Sequence, residues 1–376
     1  RSLLNTTEKT IIGLDIGGGT PSFVSAEHIQ RVLSLARESF DFLNGMTISI
    51  ETTPTIADQQ PEKIQAYKEM GIERISMGVQ TTHLKLARAI GREYKGPSML
   101  DRAVRNIRNA GFARFNIDLM YGFADQVPAS WQRTLEQTIA LGPEYITLYQ
   151  MRYKGTRLQR QSSRVSLAQI NKLREIARAQ LHAAGYTNTP GKNTYSKIPG
   201  DPGTSDYLTE RVVRGTPYLG LGLGAQSLSH HTLSYNCGAA SKKLESYLRA
   251  AQRDQIPIQD IYHLPLAASM AKMISVSFYF GEIHLEAFQA KFGVRLEDQF
   301  PAEIAYVVEN GLMNYVGPYL RLTEKGARCF NGVIALFYAG AVKNYLVHLE
   351  VDRAQDYQEI ACLENHIAQR QARHSH

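Results

Sequence analysis

Cysteine is scarce in this chain: among 376 residues there are three, Cys237, Cys329 and Cys362, set far apart. That spacing provides no cysteine cluster for zinc or an iron–sulfur centre, and each thiol reads as buried or incidental. No apolar run approaches the ~18 residues of a membrane span, and no charged-then-apolar segment opens the chain, so the sequence predicts neither a membrane span nor a signal peptide and places the protein in the cytoplasm. A basic cluster is missing too. The net charge of +7 is spread over dispersed Lys and Arg, which argues against nucleic acid as a partner and suits small carboxylated ligands. An initiating methionine is also absent. Arg1 leads a polar segment, Asn5-Thr6-Thr7-Glu8-Lys9, that enters a core strand almost at once, so a preceding segment is expected.

The remaining composition is that of a globular protein. Hydrophobic residues make up 43% and charged residues 20%, which separates the chain from the disordered class. Its length allows one large α/β domain and a smaller one.

The rest of the chain is organised around Ile-Ile-Gly-Leu-Asp-Ile-Gly-Gly-Gly-Thr-Pro-Ser at 11–22. A short apolar run ending in Gly17, Gly18 and Gly19 reads as a buried strand entering a loop without Cβ atoms, where the backbone can approach a polar small molecule. A tight strand-to-helix turn uses the same residues. After it, Ser25 and the spacing of Ile29, Val32, Leu33, Leu35 and Ala36 predict a helix over 26–40. Strands follow at 46–50, 73–79, 113–120 and 145–151, alternating with helices at 61–70, 83–90, 98–110, 129–141 and 167–184. That alternation predicts parallel βαβ units. No Gly-x-Gly-x-x-Gly turn opens a helix, which favours a barrel-like sheet over a doubly wound one.

Beyond residue 185 the pattern changes. Tyr218 to Ala225 reads as a strand with glycine at every second position. Past Lys242 the chain turns mainly helical, with helices at 265–277 and 301–310, a hairpin over 312–322 turning at Gly317-Pro318, and a helix from Thr323. Helices followed by a hairpin suggest a winged-helix-like appendage, with a structural role favoured over DNA binding because its surroundings are not strongly basic. The tail at 352–376 reads as one polar helix, with His374 and His376 in solvent. The expected domains are therefore 1–235 and 236–376.

Four polar residues fall at or just after strand ends: Glu51, Gln80, Arg92 and Asp118. In a parallel barrel those ends converge on one face. Carboxylates and backbone groups suit an amino group and ribose hydroxyls, and an arginine suits a carboxylate. An amino acid joined to a nucleoside satisfies all of them, although each residue alone also suits a helix cap.

Five ordered motifs carry a resemblance: Gly-Gly-Gly-Thr-Pro-Ser at 17–22, Ile-Glu-Thr-Thr-Pro at 50–54, Arg-Ile-Ser-Met-Gly-Val-Gln at 74–80, Gly-Arg at 91–92 and Phe-Asn-Ile-Asp-Leu-Met-Tyr-Gly-Phe at 115–123. With Gly-Leu-Gly-Leu-Gly-Ala-Gln-Ser at 220–227 and Leu-Thr-Glu-Lys-Gly at 322–326, the chain resembles, over roughly 11–330, the radical S-adenosylmethionine (SAM) enzymes related to oxygen-independent coproporphyrinogen III oxidase. The resemblance implies an α/β fold, a partial (β/α)6 TIM-like barrel with a mainly helical C-terminal domain. It assigns Gly18, Gly19, Thr20, Glu51, Gln80, Arg92 and Asp118 to one or two molecules of SAM. It also implies a [4Fe–4S] cluster on a Cys-x-x-x-Cys-x-x-Cys motif preceding the glycine loop. No such motif is present here, so it is expected upstream of Arg1 together with the first barrel strand.

Within that superfamily, Tyr149-Gln150-Met151-Arg152-Tyr153 and Val276-Ser277-Phe278-Tyr279-Phe280-Gly281-Glu282 are most similar to the heme-utilisation branch, whose members open heme anaerobically while transferring a methyl group. Heme or a related tetrapyrrole is then the expected substrate and a flavodoxin-like protein the electron donor. Arg152 suits a propionate or a second cofactor molecule, and equally a structural ion pair. The heme-chaperone branch carries His-Asn-x-x-Tyr-Trp where this chain reads Thr204-Ser205-Asp206-Tyr207-Leu208-Thr209-Glu210, a departure that argues against heme delivery. Coproporphyrinogen oxidation and a non-catalytic heme carrier, with His230 and His231 as its first candidate ligands, are the alternatives.

Overall fold

The computed structural model describes residues 9–92, 97–346 and 348. The expected tail helix, with Cys362, His374 and His376, and the opening segment 1–8 lie outside the described residues. The chain divides into two compact units, one on Ile11–Tyr207 and one on Leu208–Lys343. The division falls between Tyr207 and Leu208, ahead of the 235/236 boundary expected from composition. The strands at 226–236 explain the offset, because Gln226–Leu228 pairs with Thr232–Asn236, which pairs in turn with Ile258–His263 in the second unit.

Beside a short pairing of Thr10–Ile11 with Asp41–Phe42, the first unit is built on one open six-stranded sheet. Its strands are β1 (Leu14–Ile16), β2 (Ile48–Thr52), β3 (Arg74–Gln80), β4 (Arg114–Tyr121), β5 (Tyr145–Gln150) and β6 (Thr194–Ser196), in that spatial order. β1 to β5 run parallel, and the short β6 closes the edge antiparallel to β5. The connecting helices are α1 (Ala26–Ser39), α2 (Pro54–Gln59), α3 (Pro61–Glu69), α4 (Leu84–Ala89), α5 (Pro97–Asn109), α6 (Pro128–Ala140) and α7 (Leu167–Ala183). This is the expected partial barrel, without closure among the described residues.

Residues alternate between faces along a strand. Ile48 and Ile50, Ile75 and Met77, Phe115 and Ile117, and Ile146 and Leu148 alternate onto one face and are buried. There they join Leu33, Ile64, Ile107, Leu135 and Leu173 from the helices in the main core. Trp131 of α6 is fully buried, and its indole N–H donates to the Leu173 carbonyl at 2.9 Å. Strand β2 passes almost directly into α2, because Thr53 accepts from the Ile56 N–H at 3.4 Å and Pro54 starts the helix. The sequence had shown only a strand end at this point.

The second unit holds two small antiparallel sheets. One has β7 (Gln226–Leu228), β8 (Thr232–Asn236) and β9 (Ile258–His263). The expected strand from Tyr218 to Ala225 is a loop that only touches β7, at Tyr218 and Leu228. Gly222 and Gly224 take φ of 101° and 64°, and a Cβ on Gly220 would lie 2.3 Å from the Gln226 carbonyl oxygen. The glycines therefore fold the chain back, and the Asn236 amide holds the loop by donating to the Gly220 and Gly222 carbonyls at 3.1 and 2.9 Å. The other sheet combines β10 (Glu282–His284) with the expected hairpin, β11 (Met313–Val316) and β12 (Tyr319–Leu322). Around it lie α8 (Leu266–Ser277), α9 (Leu285–Phe292) and α10 (Pro301–Glu309), closed over a second core that includes Ile274, Phe278, Phe288 and Leu320.

Candidate functional site

The face of the sheet opposite the core is polar. Strand register sets Asp15 beside Ser49 and Ser49 beside Arg74, Glu51 beside Ser76 and Ser76 beside Asn116, and Gly78 beside Asp118. The sequence carries this signal in Leu-Asp-Ile, Ile-Ser-Ile-Glu, Arg-Ile-Ser-Met-Gly and Phe-Asn-Ile-Asp, where every second strand residue is polar. The strand-end reading named Glu51 and Asp118 and passed over Asp15, Ser49, Arg74, Ser76 and Asn116 on the same face.

Fixed donors orient the carboxylates. Asp118 accepts from the Ser76 hydroxyl at 2.9 Å and the Asn116 amide at 2.8 Å. Asn116 in turn accepts from the Thr147 hydroxyl at 2.9 Å. Asp15 accepts from Ser49 at 2.6 Å and Ser205 at 2.7 Å. Burial pushes the Asp118 and Asp15 carboxyls above the ordinary carboxylate range, against these donors and the Arg74 charge. Glu51 is pushed up to about 7, first by the protein packed around it and then by repulsion from Asp118 and Asp15, with the Gly18 N–H pulling the other way. Glu51 and Asp15 nevertheless keep solvent contact, so an incoming ligand can reach both.

The glycine loop approaches this acidic group closely. A Cβ on Gly17 would lie 2.7 Å from Glu51 Oε1, so a side chain there would displace the carboxylate. Gly18 takes φ of 112°, while a Cβ on Gly18 or Gly19 would meet nothing within 4 Å. The Thr20 hydroxyl donates to the Gly19 carbonyl at 2.6 Å, and the Thr20 carbonyl accepts from the Phe23 N–H at 2.9 Å.

Gln80 and Arg92 come together over Gly78. A bulge between Gly78 and Gln80 interrupts the β3–β4 register, and Gln80 takes φ of 68°. The bulge turns its side chain back over the strand. A Cβ on Gly78 would meet Gln80 Nε2 at 2.9 Å and Arg92 Nη2 at 3.4 Å, so glycine leaves room for both groups next to Asp118. Arg152 lies just past β5 and is exposed, and no described contact ties it to this group.

Beneath the carboxylates, Arg74 is only 8% exposed. It donates to the Gly203 carbonyl at 2.6 Å and stacks 4.4 Å from the centre of the Tyr145 ring. Tyr145 donates to Asp201 at 2.7 Å.

The described cysteines do not form a metal site. Cys237 is half-buried and Cys329 exposed, and among the described residues no three His, Cys, Asp or Glu side chains are grouped to hold a metal. Among the same residues no helix is long and apolar enough to cross a membrane.

Comparison with known proteins shows what the chain is similar to. Residues 5–138 match the Radical SAM superfamily. The whole fold is similar to coproporphyrinogen III oxidase (HemN) from Escherichia coli, described as a Radical SAM enzyme, with a TM-score of 0.72 at 22% identity over 87% of this chain and 78% of that one. In sequence the chain is 25% identical over 351 residues to the oxygen-independent coproporphyrinogen III oxidase of Synechocystis sp., covering 88% of this chain and 74% of that protein. It is 24% identical over 331 residues to the heme chaperone HemW of Lactococcus lactis, covering 86% and 83% respectively. The chain thus carries a Radical SAM superfamily match over residues 5–138 and is similar to HemN and HemW over most of its length. That superfamily implies SAM and a [4Fe–4S] cluster. The heme-degrading branch expected from the sequence is not shown by these similarities.

Proposed function

We propose that the polar face of the first unit binds SAM and that the protein acts on a tetrapyrrole bearing carboxylate side chains, in the manner of an oxygen-independent coproporphyrinogen III oxidase. The observation that carries this is the pairing of an accessible acidic group, Glu51 with Asp118 and Asp15, with the Gln80 and Arg92 heads above Gly78. SAM is a cation at sulfur and at its amino group and an anion at its carboxylate, so it needs both halves of that arrangement. In this reading Glu51 and the loop backbone at Gly17 and Gly18 take the amino group, Asp118 the ribose hydroxyls, and Arg92 the carboxylate. When bound and reductively cleaved, SAM supplies hydrogen-atom abstraction. The chain's own residues hold the ligand still: Ser76 and Asn116 fix the Asp118 carboxylate, and the Gly18 N–H fixes Glu51. The described cysteines do not fit a [4Fe–4S] ligand set, so no step is drawn through a cluster.

The oxidase reading stands ahead of the other two. Ring opening of heme with methyl transfer rests on the Tyr149–Tyr153 and Val276–Glu282 motifs alone. Heme delivery lacks its His-Asn-x-x-Tyr-Trp element, and in its place Ser205 donates to Asp15 while Asp206 accepts from the Thr47 N–H and hydroxyl at 2.7 and 2.9 Å. An external electron donor of the flavodoxin type belongs to the same proposal.

Two measurements test it. Calorimetric titration with SAM should show binding that weakens about tenfold or more in Asp118→Asn, and absence of binding overturns the proposal. Anaerobic incubation of the full-length protein, including the segment expected upstream of Arg1 and reconstituted with iron and sulfide, with SAM, reductant and coproporphyrinogen III should release carbon dioxide. Loss of heme absorbance instead would favour ring opening, and stoichiometric heme retention without turnover would favour the carrier.

A further inference from the structure

The second unit contains a narrow cavity whose charge the proposed SAM chemistry does not use. It lies where α8 meets the 211–218 segment and Leu228 to His230, and has a volume of about 20 Å³, enough for one small polar group rather than a whole ligand. Leu228, Leu264, Met273 and Val276 make most of its wall apolar. Its charged lining is cationic, Arg211, Lys272 and Lys291, with His230 at the exposed rim and no carboxylate among the lining residues.

The three cations differ in how they are held. Lys291 donates to the Gly215 carbonyl. Arg211 stacks 4.4 Å from the centre of the Tyr218 ring. Lys272 has no hydrogen-bond partner among the described residues, and burial together with the nearby Arg211 charge lowers its ammonium below the ordinary lysine range. The Ser269 hydroxyl, on the first turn of α8, supplies an independent sign of a missing partner. Ser269 is 6% exposed and its Oγ is buried with no partner. A buried hydroxyl left unpaired is costly unless something occupies the site. The adjoining start of α8 has no side-chain cap either, which adds positive potential on the same side.

We infer that this cavity binds a carboxylate carried on a short apolar stem, with the carboxylate between Lys272, Arg211 and Ser269 and the stem along Leu228, Leu264 and Val276. The inference is independent of the SAM reading, because every lining residue belongs to the second unit. The apolar wall selects an organic acid over a hydrated inorganic anion, and the volume limits the buried part to the head group.

The test uses butyrate, inorganic phosphate and n-butanol as probes on the full chain, with binding read by ligand-observed NMR and by the melting temperature. Butyrate should bind and raise the melting temperature. Lys272→Gln should weaken it about tenfold and Ser269→Ala several-fold, and neither probe lacking one half of the chemistry should compete. Ser269→Ala also checks folding, because removing an unpaired buried hydroxyl should leave the ligand-free melting temperature unchanged or higher. Equal binding of butanol, butyrate binding unchanged by Lys272→Gln, or no butyrate effect at all, which would make the cavity a site for an ordered water only, overturns the inference.

Discussion

The backbone at Gly17 runs so close to Glu51 that a Cβ at this glycine would sit 2.7 Å from Oε1. That separation is well inside van der Waals contact, so the strand-end carboxylate and the loop can occupy their places only if residue 17 has no side chain. Gly17→Ala should therefore displace Glu51 while leaving the core unchanged, because the flexible carboxylate moves before the strand does. We expect SAM affinity to fall about tenfold with a melting temperature within a few degrees of wild type. Unchanged affinity would show that Glu51 does not contact the ligand.

Glu51 makes binding dependent on pH in a defined direction. In the free protein its carboxyl titrates at about 7 instead of near 4.5, so at pH 5.5 a cationic ligand must first drive off a proton. SAM affinity should rise between pH 5.5 and pH 7, by as much as about tenfold per pH unit, and Glu51→Gln should flatten that rise. The same shift acts on stability with the opposite sign. A carboxyl whose folded value is raised helps the fold while protonated, so its contribution is complete below about 4.5 and is lost as pH passes through about 7. Glu51→Gln should thus stabilise the ligand-free protein above pH 7, by roughly 1 kcal/mol or less once solvent screening is allowed for. Calorimetry across the pH series reads both effects.

Much of this arrangement was legible in the sequence, for physical reasons that also mark where legibility stopped. Helix periodicity and buried apolar strands located the sheet and its helices, because burial imposes period 3.6 or 2 on any sequence that folds this way. Glu51 and Asp118 stood out as carboxylates where a parallel sheet gathers ligands. Arg74 did not, because an arginine at the first residue of a strand reads as a solvated end until Tyr145 and Gly203, distant in sequence, are seen to receive it. The glycine-interrupted run at 220–224 misled for the opposite reason. Alternate glycines fit a bare strand face, but the positive φ values of Gly222 and Gly224 turn the chain. The antiparallel β6 could not be read at all, because three residues are too few to carry a period.

Gln80 holds a conformation that costs energy. A non-glycine residue at φ of 68° forfeits about 1–2 kcal/mol relative to extended backbone, and here the bulge uses it to place the amide over Gly78. Gln80→Gly should relieve the strain and raise the midpoint of urea unfolding slightly, while losing the amide and weakening SAM binding several-fold. Asn tolerates this region better than most residues, so Gln80→Asn should recover the stability gain with an intermediate affinity. A loss of stability in both variants would mean that the side chain supports the fold and not the site.

Arg74 is the counter-charge for the polar face, and its removal should show how much that face depends on it. The guanidinium is buried, donates to the Gly203 carbonyl, stacks on Tyr145, and lowers the carboxyls of both Asp15 and Asp118. Arg74→Met would keep the stem and the volume but leave the two carboxylates uncompensated and a buried carbonyl unpaired. Removing one partner of a buried charged group costs about 3–5 kcal/mol, so the urea midpoint should fall markedly at pH 7. The loss should shrink as pH is lowered, because Asp15 and Asp118, already pushed upward by burial, take up protons more readily than ordinary carboxylates and then no longer need the cation. Arg74→Lys should recover the charge but not the planar fork or the ring stacking, and so fall between the two. Equal destabilisation of Arg74→Met at both pH values would assign the role of Arg74 to packing on Tyr145 rather than to the carboxylates.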